Sequence, residues 1–114
     1  MLMPIATPAL SSLPQASSRW PVHVQVAVDE GALDPKRTIQ IGIRGPAEAL
    51  WDFSYSSGMT VIHIEELYAM GIDAVIAKAR EVVGDGPTYV SFDVDGMDPV
   101  YAPGTGTPEV GGSP

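Results

Sequence analysis

The chain has 114 residues, enough for one small domain. Its 14 Asp and Glu outweigh 6 Lys and Arg for a formal net charge of -8, which disfavours a nucleic-acid partner because phosphate binding needs a basic face. There is no cysteine, hence no disulfide framework or thiolate metal site, and no stretch approaches the ~20 apolar residues of a membrane span. An acidic field suits a cationic substrate, but plain solubility is the favoured reading of the charge.

Residues 1–26 differ in composition from the rest. Pro4, Pro8, Pro14 and Pro21 interrupt them, together with Ser11-Ser12 and Ser17-Ser18. This segment reads as an irregular or disordered arm. It lacks the basic start and unbroken apolar run of a secretory leader, so a cytoplasmic protein is expected. Val22, Val24, Val26 and Val28 alternate within and just beyond it, which allows a short strand. His23 lies among them and is either a metal ligand or an ordinarily placed histidine.

Regular structure is expected over residues 27–114. Asp29 to Arg37 reads as a helix end and a loop. Thr38 to Ile43 alternates with period two and is rich in β-branched residues, a strand signal. Arg44-Gly45-Pro46 ends it. Arg44 reads as a structural ion pair or subunit contact, with a substrate clamp as the competing role. Pro46 fits the first turn of a helix, Ala47 to Trp51 is helix-compatible, and Ser54 to Gly58 reads as loop. Trp51, Phe53 and Tyr55 read as packing or interface groups.

Met59 to Ile62 is a short strand followed by His63, read as a loop or N-cap-region histidine rather than a catalytic one. Glu65 to Tyr68 is a short helix, interrupted by Gly71. Ile72 to Val83 carries the clearest helical pattern, with Ile72, Val75, Ile76, Ala79, Val82 and Val83 at helical spacing. Asp73 near its start and Lys78 and Arg80 in its second half suit the helix dipole, and Gly84 suits a left-handed cap. Thr88 to Val94 then reads as a nearly continuous apolar strand buried on both faces.

The resulting order of strands and helices is an α/β pattern with right-handed crossovers. In such sheets chemistry lies beyond the carboxyl ends of the strands. Asp93 and Asp95 sit there. In an extended strand, residues two apart share a face, so the two carboxylates would converge. A divalent cation would relieve their repulsion, and oxygen donors suit Mn²⁺, Mg²⁺ or Ca²⁺. A calcium hand would put an acid or amide, Gly and Glu where Met97, Asp98 and Gly104 stand, so that motif fails. A phosphate loop over Gly106 to Ser113 would need Lys at Gly112 and fails too.

Ser91, Asp93, Asp95, Asp98-Pro99, Pro103-Gly104 and Gly112 closely resemble a signature of the ureohydrolases, the arginase and agmatinase family. Gly42-Ile43-Arg44-Gly45 resembles the ending of one of that family's strands. The Pro103-to-Glu109 run looks more like the agmatinase branch than arginase proper. The resemblance implies a three-layer α/β/α sandwich with a mainly parallel sheet, of which this chain would hold part. It also implies two manganese ions held in part by Asp93 and Asp95, a small guanidinium substrate, and a homo-oligomer. The implied reaction is agmatine plus water to putrescine plus urea, with guanidinobutyrate, guanidinopropionate or arginine as alternative substrates.

The likeness runs from about Val26 to Gly112. The family's upstream histidine motifs and its downstream guanidinium-binding acid have no match here, and Glu109 is not that acid. No catalytic residue is assigned, and Asp98 is expected to shape a turn. The chain is therefore expected to be a fragment from the C-terminal half of a longer family member, inactive alone. A non-catalytic remnant that keeps sheet contacts is the reading from a different class.

Overall fold

A computed structural model of the protein describes residues 2–4, 20–45, 48–106 and 108–114. Strand β1 is Leu2–Pro4, helix α1 Trp20–Asp29, β2 Ile39–Ile43, α2 Glu48–Ser57, β3 Thr60–His63, α3 Ile64–Met70, α4 Ile72–Val83 and β4 Thr88–Val90. Short 3-10 turns cover Pro35–Arg37 and Val94–Gly96. The sheet order is β3-β2-β1-β4. Strands β2 and β3 run parallel, while β1 is antiparallel to both of its neighbours.

The strand β2 begins cleanly because the turn before it is locally determined. Asp34 accepts a hydrogen bond from the Lys36 amide at 3.0 Å, and Pro35 sits where its missing N–H costs nothing. The Thr38 hydroxyl, fully buried, donates to the Asp34 carbonyl at 2.7 Å, so this buried hydroxyl is satisfied as the chain enters the sheet. Pairing with β3 runs Ile39 to Thr60, Gln40 to Val61 and Ile41 to Ile62, then slips so that Ile43 meets His63. The slip falls at Gly42, whose φ of +80° favours glycine. A bulge of this kind re-aims the residues that follow, Ile43 and then Arg44.

Helices α3 and α4 cover this pair of strands. Ile39 and Ile62 pack with Leu67, Val75, Ala79 and Val83, the last three helix positions lying four residues apart along one face of α4. Each large apolar side chain buried this way contributes roughly 1.5–3 kcal/mol. The helix spans the residues that the spacing predicts, with Asp73 in its first turn and Arg80 in its last. Gly84 ends it at positive φ, 66°, but with ψ −159°, which is not the left-handed helical cap expected. A second cluster joins Val24 and Leu33 to Met59, flanked by Ala27, Val28 and Phe53.

Other sequence expectations change as well. Val22 to Val28 is helix, not strand: the residues that pack are Val24, Ala27 and Val28, a helical spacing that outcompetes the alternating valines. This helix also runs across residue 26, where composition placed the end of the arm. Ser54 to Ser57 is helical rather than loop, and its hydroxyls bond back to the helix: Ser57 Oγ donates to the Ser54 carbonyl at 3.1 Å and Ser56 Oγ to that of Phe53 at 3.3 Å. Helix α2 stops at Gly58, φ +91°. The last strand is only Thr88–Val90, and all three residues are exposed instead of buried on both faces. The irregular reading of residues 5–19 and the Pro46 helix start lie outside the described residues.

Candidate metal-binding loop

The expected extended placement of Asp93 and Asp95 does not hold. Strand β4 ends before them, and Asp93 caps the 3-10 turn that contains Asp95. Asp93 Oδ1 accepts the Asp95 amide at 3.0 Å. This side-chain acceptor competes with strand pairing and turns the chain. The two carboxylates stay neighbours, but as the flanks of a turn and not as alternate residues of a pleat. Asp93 is exposed, and Asp95 is half-buried with its carboxylate hydrogen-bonded by the Thr105 hydroxyl.

The chain then returns on itself. Asp98 donates its amide to the Ser113 carbonyl at 2.8 Å, and Ser113 donates to Gly96 at 3.1 Å. Asp98 shapes the loop as expected: its Oδ1 takes the Val100 amide at 2.9 Å and its Oδ2 the Gly111 amide at 2.8 Å. These amides, Val100 first, hold its carboxyl below the ordinary value of 3.8, with a smaller contribution from the Arg44 charge. The Tyr68 hydroxyl reaches over from α3 to the Gly112 carbonyl at 2.7 Å.

Arg44 ties the loop to the sheet. It donates to the carbonyls of Asp95 at 2.9 Å, Gly96 at 3.0 Å and Met97 at 2.9 Å, and twice to that of Glu109, at 2.9 and 3.1 Å. Its partners are backbone carbonyls and not the carboxylate of the expected ion pair. The rigid five-donor fork of arginine suits this. Thr105 and Tyr68 were not anticipated. Thr105 lay in the quoted Pro-Gly-Thr-Gly run, whereas nothing in the sequence singled out Tyr68.

His63 is the N-cap of α3, its amide donating to Glu66 Oε2 at 2.9 Å. Its ring meets Trp51 edge-on at 4.9 Å between centroids, and its Nε2 pairs with the Tyr55 hydroxyl at 2.5 Å. Phe53 packs against the second apolar cluster, as expected, whereas Tyr55 is exposed. His23 lies in α1.

Two carboxylates and a nearby hydroxyl are hard oxygen donors, which suit a cation such as Mn²⁺ in kind. They fall short in number: among the described residues, no three His, Cys, Asp or Glu side chains gather into a metal-holding group. No helix among the described residues is long and apolar enough to cross a membrane.

The solved structure of proclavaminate amidino hydrolase from Streptomyces clavuligerus superposes with a TM-score of 0.74 and 39% identity, over 80% of this chain and 31% of that one. The fold is thus part of the α/β arginase-type fold of the amidino hydrolases. The arginase family model matches residues 6–114, and this chain belongs to the arginase family. It is 59% identical over 88 residues to a guanidinopropionase from Pseudomonas aeruginosa, covering 75% of this chain and 28% of the relative. It is 48% identical over 87 residues to a mitochondrial agmatinase from Gallus gallus, covering 75% of this chain and 26% of the relative. The chain thus spans between a quarter and a third of these relatives' lengths.

Proposed function

We propose that these residues are the segment of a guanidino-compound hydrolase that supplies two metal-binding carboxylates, Asp93 and Asp95, to a dinuclear manganese site. The observation that carries this reading is the turn that sets both acids side by side within a loop tied down by Arg44, Asp98 and Gly112. The reaction class is hydrolysis of a linear guanidinium compound to an amine and urea.

Manganese, when bound, supplies Lewis-acid charge stabilisation and an activated water. The chain's own residues do the positioning. Asp93 and Asp95 offer oxygen ligands, Thr105 orients the Asp95 carboxylate, and Asp98 holds the loop closed behind them. The acidic charge of the chain suits a cationic substrate. Identity to the guanidinopropionase exceeds that to the agmatinase, 59% against 48%, which favours a guanidino acid over agmatine as substrate. A cytoplasmic location and a homo-oligomeric assembly belong to the same proposal.

Asp93 and Asp95 make up two of the six or so ligands that manganese normally takes. The 114 residues expressed alone are therefore expected to bind Mn²⁺ weakly and below stoichiometry. They are expected to release no urea from guanidinopropionate, guanidinobutyrate, agmatine or arginine. Mn²⁺ titration followed by electron paramagnetic resonance tests this, with Asp93→Asn and Asp95→Asn each expected to reduce binding. Binding unchanged in both variants would remove the metal role of these carboxylates. Urea production by this chain, lost on Asp93→Ala, would show that it carries a working site.

A further inference from the structure

Strand β1 is an ill-suited occupant of its position in the sheet. It lies between β2 and β4. Because it runs antiparallel to both, β2 and β4 point the same way, and β3 points with them. Among the described strands β1 alone is reversed. It has three residues, against about five or six for an ordinary strand. Its last residue, Pro4, has no N–H to donate, and proline is normally kept to edge strands, strand starts and bulges.

Strand β1 also fills only part of that position. Leu2 stands opposite Ile39 of β2 and Val90 of β4, and Met3 and Pro4 run back to Tyr89 and Thr88, toward the amino end of β4. No registered pairing of β1 reaches beyond Ile39 toward the carboxyl end of β2, or beyond Val90. Burial follows the same boundary. Ile39 is fully buried, whereas Gln40, Ile41, Gly42 and Ile43 are only half-buried, although β2 is an interior strand. On β4, Tyr89 and Val90 are exposed despite their partners. Strands inside a parallel α/β sheet are ordinarily buried on both faces.

We infer that the position between β2 and β4 is a docking slot for one longer extended strand running parallel to both, and that Leu2–Pro4 is its displaceable stand-in. The occupant comes from the part of the arginase-type fold that this chain does not span, since the chain covers 28% of the guanidinopropionase and 31% of the amidino hydrolase. Its direction follows from the three strands that already share one, because all-parallel sheets are over-represented. An added strand is held by main-chain bonds, and one that runs the length of β2 makes more of them than a three-residue strand with a proline. A chain end with so few bonds opens at low cost. The metal reading of Asp93 and Asp95 plays no part in this inference.

The test uses a tether. The chain has no cysteine, and Met3→Cys with Tyr89→Cys places two thiols at registered positions. Such Cα atoms lie about 4.5–5.5 Å apart in an antiparallel pair, within disulfide range. The 114-residue chain, tethered or not, is refolded from urea together with the region of the Pseudomonas aeruginosa guanidinopropionase that precedes the matched 88 residues. Size exclusion with light scattering reads the mass, and amide hydrogen exchange is read over residues 40–43. A one-to-one complex is expected with the unsubstituted chain and with a chain lacking residues 1–4, with exchange over residues 40–43 slowed. The complex should be lost with the oxidised Met3→Cys/Tyr89→Cys chain and recovered on reduction. A complex that forms equally with the oxidised chain overturns the inference. So does the absence of a complex with both untethered chains, and so does failure of the two thiols to pair within one chain. Neither Mn²⁺ nor urea is measured, so failure here leaves the proposed function to its own tests.

Discussion

Gly112 and Arg44 approach so closely that a methyl group on Gly112 would lie 2.7 Å from the Arg44 Nη2 nitrogen. The same methyl would stand 2.5 Å from the Asp98 amide nitrogen and 2.6 Å from the Met97 carbonyl carbon, and backbone cannot yield as a flexible side chain can. The glycine is there for proximity: the returning strand must touch residues 97 and 98 for the loop to close. Gly112→Ala is expected to cost about 1–3 kcal/mol of local stability. Amide exchange at Asp98 and Ser113, both bonded in this closure, should accelerate in the variant. Unchanged exchange at both sites would contradict the close-packing account.

Acid should open the same loop. The Val100 and Gly111 amides hold the Asp98 carboxyl below its ordinary 3.8, so the ionised form is favoured when the loop is closed. A depressed carboxyl contributes stability that is fully present above the unfolded value and is lost as pH falls through the folded one. Loop order should therefore be constant above about pH 5, begin to decline near the ordinary carboxylate range, and be lost only below it. Asp98→Asn should remove the effect, because an amide nitrogen cannot accept the second backbone bond. The Gly111 amide resonance followed against pH reads both results.

Association is expected from exposed apolar side chains: Phe92 is 78% exposed, Val100 82%, Val110 78% and Val90 64%. With a short, exposed strand as well, the 114-residue chain should form soluble oligomers or aggregate at micromolar concentration, and melt broadly. Light scattering coupled to size exclusion measures this. Charge replacements at Phe92 and Val100 should shift the distribution toward monomer. A monomeric mass with a sharp two-state melt would contradict the expectation.

Much of the architecture was legible because local and tertiary signals agreed. In α4 the apolar spacing, the charge placement and the flanking glycines point to one answer, and the helix spans Ile72–Val83. In β2 the β-branched run of Thr38 to Ile43 does form a strand, over Ile39–Ile43, and Ile39 at its start is fully buried. The signals failed where they competed. The alternate valines of α1 read as strand, yet Val24, Ala27 and Val28 pack as a helix face. The hydrophobic run after Thr88 read as a fully buried strand, but the strand stops at Val90 with all three residues exposed, and Asp93 then caps a turn. At the site, the identity of Asp93 and Asp95 as neighbouring acids was visible in the residues. Their arrangement about a turn, and the carbonyl clamp of Arg44, required the chain's return from residue 98 to residue 113, which no local pattern announces.

The central claim is that this segment carries metal-ligating carboxylates of a guanidino-compound hydrolase, and a graft tests it most directly. Residues 38–112 would replace the matching segment of the Pseudomonas aeruginosa guanidinopropionase, to which the chain is 59% identical over 88 residues. Urea release from guanidinopropionate is then measured with Mn²⁺ supplied. The graft should retain activity within about tenfold of the parent, and Asp93→Ala in the graft should reduce it by more than about 100-fold while bound manganese falls. A folded graft whose activity and manganese content are indifferent to Asp93→Ala would contradict the account.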